Sequence, residues 1–301
     1  MPDFLVVKVD YHCNNEILEW QWSSDSELMT DPFFTSCYLV DGLLIDSGAP
    51  GGVDELRKFV NSLNPENMIE KCFITHAHED HAGGAHLLNT EFGIPIYSSE
   101  KAIDLLKSGN TYPDYRQMAW GPKLLPVNAI SIEESIITKS KKYKFELFPM
   151  SGHAPELITL IERKQQWAFV ADAVQPKYKM IFGGHSDIQE DISLIFQALQ
   201  ELYDFTEGMN DLLIFSAGNG VFHGREFLVE KLREIKKRHQ QVHEVYKTLP
   251  ENKYSKKQII KKILKQVYGK ESFVGQMTRG ALSRKNLIIS LLDWPIDEKL
   301  A

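Results

Sequence analysis

The chain has 301 residues, 25% charged and 43% hydrophobic, with a formal net charge of −7. These are ordinary values for a globular protein able to bury a substantial core, as one large domain or as a domain with an appendage. No run of 18 apolar residues occurs, which excludes a membrane-spanning helix, and Cys13, Cys37 and Cys72 are odd in number and scattered, which argues against a disulfide framework.

The start, Met1-Pro2-Asp3-Phe4-Leu5-Val6-Val7-Lys8, lacks the basic-then-apolar pattern of a signal peptide, so a cytoplasmic location is expected. In chain order, runs of β-branched and aromatic residues predict strands at 4–11, 37–46, 72–76, 94–98, 143–149, 157–162, 167–172 and 212–216. Helical spacing predicts helices at 53–63, 81–90, 100–107 and 188–203. Strands from both halves with helices between them suit a layered α/β domain. The segment 107–127 exceeds what the elements need and carries Tyr112, Tyr115 and Trp120. Loops of this length often act as lids or binding loops, and amphipathic aromatics suit a pocket wall; the alternative is that they pack the loop onto the sheet.

From Arg225 onward the pattern is helical. Phe227, Leu228, Leu232, Ile235, Val242, Val245 and Tyr246 follow one helical face before Pro250 and Asn252 interrupt it. A second helix is expected over 255–268 with Ser255 as N-cap, and a third over 275–293, closed by Pro295. The reading is therefore a main domain over 1–224 and a helical cap over 225–301.

The densest chemistry lies in His76-Ala77-His78-Glu79-Asp80-His81, between the apolar run Cys72-Phe73-Ile74 and Gly83-Gly84. Imidazole nitrogens and carboxylate oxygens are standard ligands of zinc, iron and manganese. In an extended segment His76 and His78 point the same way, and a helix starting near Asp80 aims Asp80 and His81 at a neighbouring point. This spacing builds two adjacent metal sites.

His-x-His-x-Asp-His after a strand resembles the metallo-β-lactamase-fold hydrolases. The resemblance covers roughly residues 5–224, because further motifs follow in the family's order. Ser151-Gly152-His153 would supply His153, and Phe169-Val170-Ala171-Asp172 would supply Asp172 as a bridging ligand. Leu43-Leu44-Ile45-Asp46-Ser47-Gly48 is similar to the early Asp turn that supports the ligands from behind. The resemblance implies a four-layer αββα sandwich with metals in a cleft at one edge, followed here by a C-terminal helical appendage docked on that cleft or at a homodimer contact. It also implies two divalent transition-metal ions, zinc or iron and manganese, held by His76, His78, Asp80, His81, His153 and Asp172. One departure stands out. The Gly-His-Gly turn expected last is Gly218-Asn219-Gly220, with His223 four residues on. Either His223 substitutes, or Asn219 ligates weakly, or the second site is depleted.

Two cations sharing a water lower its pKa from about 16 toward 7, which provides a nucleophile without Ser or Cys. Asp80 is the expected catalytic carboxylate, orienting that water. Thioester cleavage needs little acid assistance, since a thiolate leaves with a pKa near about 8.5. The helical tail resembles the family's acyl-thioester hydrolases, the glyoxalase II-like branch and the aminobenzoylacetyl-coenzyme A thioesterases of quinolone biosynthesis included. A small acyl substrate is therefore the first reading. Two alternatives stay open: an RNA or DNA phosphodiesterase, and a regulatory protein with a residual metal site. Residues 225–270 carry 14 Lys/Arg against five Asp/Glu, so nucleic acid is not excluded, although an acidic remainder disfavours a long polyanion near the site.

Overall fold

The computed structural model describes residues 6–24, 33–250 and 253–295. The expected strand positions 4 and 5, the chain start and the break at Asn252 lie outside the described residues. Two compact units divide the chain. The first comprises Met1–Pro149, Pro155–Val174 and Asp211–His223; the second comprises Met150–Ala154, Gln175–Asn210 and Gly224–Ala301.

In the first unit, β1 (Val7–His12), β2 (Ile17–Trp22), β3 (Thr35–Val40), β4 (Leu43–Ile45), β5 (Lys71–Phe73), β6 (Ile96–Ser98) and β7 (Ala129–Ser131) form one sheet in sequence order. β1 to β4 are antiparallel and β4 to β7 parallel. Its helices are α1 (Val53–Ser62), α2 (Glu79–Ala82), α3 (Ala85–Thr90), α4 (Glu100–Ser108) and α5 (Asp114–Trp120). Farther along the chain come β8 (Ser135–Ile137), β9 (Lys144–Pro149), β10 (Ile158–Glu162), β11 (Trp167–Ala171), β12 (Ile181–Phe182), β13 (Leu213–Ser216), β14 (Gly220–His223) and β15 (Leu282–Ser283). Six of these make the second sheet, in the order β14-β13-β11-β10-β9-β8.

The alternation of side chains explains the layering. Leu18, Trp20 and Trp22 of β2, with Leu39 and Leu44, face a core shared with Leu56, Phe59, Leu88, Ala102 and Leu106 of the helices. The opposite parity, Ile17, Tyr38, Val40, Leu43, Ile45 and Phe73, packs against Phe145, Leu147, Ile158, Leu160, Phe169 and Phe215 of the second sheet. One sheet is thus sandwiched between helices and a partner sheet, as expected.

Glu19 is the exception on the inter-sheet face. It is 2% exposed, yet fully engaged. Its Oε1 accepts from Gln21 Nε2 at 2.9 Å and Ser36 Oγ at 2.6 Å, and its Oε2 lies 2.8 Å from His12 Nε2. The Tyr38 hydroxyl lies 3.0 Å from Oε1 and donates to the Ser216 carbonyl at 2.7 Å. Ser36 Oγ also accepts from Gly218 N at 2.9 Å. A buried carboxylate with this many donors is satisfied rather than stranded, and it links the first sheet to the β13–β14 turn.

The second unit contains α6 (Ile192–Phe205), α7 (Glu226–Lys247), α8 (Lys256–Tyr268), α9 (Phe273–Met277) and α10 (Arg284–Asp293), with β12 pairing β15. Asp191 caps α6 by accepting from Ser193 N and Leu194 N, and Ser255 with Gln258 closes a capping box on α8. The sequence reading puts the whole of 1–224 in one domain. The structure instead places 150–154 and 175–210 with the helices. The reason is packing: Asp191 N donates to Gly152 O, a Cβ on Gly152 would run into Ile195, and Arg225 Nη2 donates to Tyr203 O. The third C-terminal helix is also two shorter ones separated by β15. Among the described residues no helix is long and apolar enough to cross a membrane.

Candidate metal centre

The site grows from the ends of two adjacent parallel strands. β4 ends at Ile45 and β5 at Phe73, and Asp46 N donates to Phe73 O at 2.8 Å. Asp46 has φ +63°, a conformation Asp tolerates, and its carboxylate is 3% exposed. There it accepts from Thr75 N at 2.8 Å, Thr75 Oγ1 at 3.0 Å and His81 Nδ1 at 2.7 Å. Because Thr75 donates its proton to Asp46, its oxygen accepts from His76 Nδ1 at 3.1 Å. One carboxylate therefore sets the tautomer of two imidazoles, directly for His81 and through Thr75 for His76. In both rings Nε2 is left with its lone pair, the form a metal requires.

α2 is a single turn after His78, and it delivers Asp80 and His81 together. It lies flush on the 46–50 turn: Ser47 N donates to His81 O at 2.7 Å and Gly83 N to Gly48 O at 2.8 Å. A Cβ on Gly83 would run into Ala49 and Pro50, and one on Gly84 into Ser47 and Leu56. That contact also splits the helix expected over 81–90 into α2 and α3. Asp172 follows Ala171, whose φ is +46°, at a register shift between β11 and β13. Such irregularities re-aim side chains beside active sites.

These pieces converge. One ligand atom from each of His76, His81 and Asp172 lies within 4.8 Å of the others. His76 Nε2 is 3.0 Å from His78 Nδ1. His81 Nε2 lies 3.4 Å from Asp172 Oδ2 and 3.7 Å from Asp80 Oδ2, buried and without a hydrogen bond. A buried imidazole nitrogen facing two carboxylates fits a cation between them. The electrostatics agree. Burial, with Asp172 adding to it and His81 opposing, pushes Asp80 up to about 7. Burial alone would lower His81, but Asp46, Asp80 and Asp172 outweigh it and raise that imidazole well above its ordinary value. Without a cation the cluster holds protons in its place.

The remaining expected residues lie as follows. His153 belongs to the second unit, where its Nδ1 donates to Glu190 Oε1 at 2.7 Å while Glu190 Oε2 accepts from Phe182 N at 2.6 Å. Asn219 sits in the β13–β14 turn, and its Nδ2 donates to Ala217 O at 3.0 Å. His223 does not swing back to that turn. It ends a regular β14, exposed and opposite Leu213, whereas Gly220 pairs Ser216 at the turn. The four-residue detour needed for substitution is absent because β14 continues the ladder. Tyr112 and Trp120 are buried in the helix-side core, where they anchor their segment, and Tyr115 is half-buried.

A family model for the metallo-β-lactamase superfamily matches residues 30–194. The chain belongs to that superfamily. It is 30% identical over 130 residues to the hydroxyacylglutathione hydrolase GloC of Haemophilus influenzae, a match spanning 42% of this chain and 58% of that protein. Among solved structures it resembles the metallo-β-lactamase of Pontibacter korlensis, with a TM-score of 0.59 and 16% identity over 76% of this chain and 99% of the other. It also resembles FIM-1 of Pseudomonas aeruginosa in its mono-zinc form, with a TM-score of 0.57 and 15% identity over 79% and 98%. At these identities the structural likeness establishes the fold.

Three further residues bonded to the expected ligands or to their motif lie outside the expected ligand set. Glu156 Oε1 accepts from Ala77 N at 3.2 Å, steadying the backbone between His76 and His78. Its place in Ser151-Gly152-His153-Ala154-Pro155-Glu156 is the one signal that points to it. Glu190 is visible only through its bond to His153. Arg116 comes from α5 and pairs with Glu79, inside the metal motif itself.

Proposed function

We propose that this member of the metallo-β-lactamase superfamily is a metal-dependent hydrolase of a small thioester or ester. The observation that carries the reading is the His76, His81 and Asp172 cluster, with the buried, unpartnered Nε2 of His81 turned into it. His76, His78, Asp80, His81 and Asp172 would hold divalent metal ions, with His153 the further ligand that the family resemblance implies. When bound, such ions lower the pKa of water to about 7 and polarise a carbonyl oxygen. The chain's own groups do the rest. Asp46 keeps His81 and His76 in the ligating tautomer. Asp80 accepts the hydrogen bond of the attacking water, which turns a lone pair toward the acyl carbon. The thiolate leaves without a strong acid beside it, since its pKa is about 8.5. Thioester cleavage is also supported by the name of the 30%-identical relative, a hydroxyacylglutathione hydrolase.

The test is a substrate panel on the metal-loaded protein: acyl-coenzyme A and acylglutathione thioesters, simple esters, and bis(p-nitrophenyl) phosphate. Thioester kcat/KM at least tenfold above the phosphodiester, abolished by a chelator, is the expected result. Dominant phosphodiester cleavage, with steeply salt-dependent binding of nucleic acid through the basic α7 and α8, would overturn it. So would tight metal retention with no turnover.

The ligand set carries two further expectations. Glu190→Ala removes the acceptor of His153 Nδ1 and should weaken zinc binding about 10- to 100-fold, read by competition with a chromophoric chelator. Asn219 is the weak point of the second site, since its amide is a neutral donor already bonded to Ala217. Asn219→His should raise the affinity for a second equivalent of zinc, whereas His223→Ala should leave stoichiometry unchanged; loss of one equivalent in His223→Ala would restore that residue as a ligand.

A further inference from the structure

Arg116 is an unusual residue to find inside a core. It is 5% exposed, on α5, in the segment that exceeds the minimal strand-and-helix pattern. Its guanidinium forms a two-point ion pair with Glu79, which is 2% exposed: Nε donates to Oε1 at 2.5 Å, and Nη2 donates to Oε2. Glu79 precedes Asp80 in the one-turn helix α2. The motif's spacing makes Glu79 look like the dispensable member of His-x-His-x-Asp-His, but it receives the only long-range guanidinium pair of that helix among the described residues.

The surroundings of Arg116 show what the pair anchors. Its guanidinium stacks over the Tyr112 ring at 5.4 Å, and the Tyr112 hydroxyl donates to Gly121 O at 2.9 Å, closing the segment on itself. Trp120 at the end of α5 packs against Phe33, with ring centroids 5.4 Å apart. Gly121 has φ +102°, and a Cβ there would run into Gly51. Gly51 belongs to the turn after Asp46, the same turn on which α2 rests. α5 is therefore clamped at both ends to the two pieces of chain that present Asp80, His81 and Asp46.

We propose that Arg116 is a positioning residue whose pair with Glu79 docks the 112–121 segment on the metal-bearing helix and fixes it as a wall of the acyl site. The proposal rests on the hydrolase reading only where substrate is used. Burial makes the pair informative. Removing one partner leaves a charge uncompensated away from water, which costs more than replacing both by neutral groups. Arg116→Met should thus be worse than the double variant Glu79→Gln/Arg116→Met. Arg116→Lys keeps the charge but loses the fork, and it should fall between wild type and Arg116→Met.

Two readouts separate this role from simple structural support. The first needs no turnover. Chymotrypsin cleavage after Tyr115 or Trp120, followed by mass spectrometry of zinc-loaded protein, should rise at least tenfold in Arg116→Met. It should return most of the way in the double variant. The second uses the best thioester of the panel: KM should rise severalfold in Arg116→Met, with kcat and bound zinc changing less than twofold. Should Arg116→Met prove insoluble, Arg116→Lys and the double variant carry the same comparison. Wild-type protection and KM in Arg116→Met, or a double variant no better protected than the single, would overturn the proposal. If protection follows the expected order while no thioester is turned over, the docking role stands and the hydrolase reading falls.

Discussion

Replacing His78 or Asp172 by alanine is expected to strip metal from the purified protein and reduce hydrolysis to background, with the fold retained. His78 Nδ1 lies 3.0 Å from His76 Nε2, and Asp172 lies in the cluster with His76 and His81. Neither anchors the core, so far-ultraviolet circular dichroism should stay that of wild type while metal analysis shows the loss. Wild-type stoichiometry in both variants would refute the assignment. Removing metal by chelation has a signature of its own. In the metal-free chain Asp80 is pushed from 3.8 up to about 7. Between those values the folded state holds a proton that the unfolded state has lost. Stability therefore falls as pH rises from about 4 toward 7. His81, also raised, extends that fall above its ordinary 6.5. Loaded protein should behave oppositely across this window, because protons compete with the ions. Thermal melts with and without chelator at several pH values read the contrast.

The second large effect is expected at Asp46. Asp46→Ala leaves the buried Thr75 N–H and His81 Nδ1–H without their acceptor, at about 1–3 kcal/mol each, and puts a Cβ-bearing apolar residue at φ +63°. A loss of about 3–5 kcal/mol follows. Asp46→Asn is the sharper variant. Asn tolerates the same backbone and still offers Thr75 N an oxygen, but its amide meets His81 Nδ1 as a second donor. His81 must then carry its proton on Nε2, which removes the lone pair a metal needs. The expected outcome is a melting temperature lowered by a few degrees and the loss of about one metal equivalent. Unchanged zinc content in Asp46→Asn would show that this carboxylate does not set the tautomer.

What was legible in the sequence is what is local. His76 to His81 lie within six residues, and Asp46 and Asp172 each end an apolar run that reads as a strand. The segment β2 was harder. Its Ile17-Leu18-Glu19-Trp20-Gln21-Trp22 alternates like a half-exposed strand, but both faces are buried because the polar parity meets a polar seam between the sheets. The helix over 81–90 is broken by a contact with the 46–50 turn that no local pattern announces. Glu79 and Arg116 are 37 positions apart, and a charged pair at that distance leaves no periodic trace. Met150–Ala154 leaves the first unit for the same reason: Gly152 is claimed by α6, some 40 residues later.

The carboxylate of Glu19 has a consequence beyond its own satisfaction. The facing aliphatic and aromatic side chains of two stacked sheets attract one another almost equally well at neighbouring offsets, because dispersion and hydrophobic burial are non-directional. A hub reaching His12 and Gln21 in its own sheet, and the Ser216 and Gly218 backbone through Tyr38 and Ser36, is satisfied at one offset only. Sliding either sheet by a residue would strand a charge. Glu19 therefore works as an alignment key. Glu19→Leu would leave the buried Ser36 hydroxyl and Gln21 amide without their acceptor and loosen the hold on the Asn219 turn, so this one position ties the stability of the sandwich to the placing of that turn.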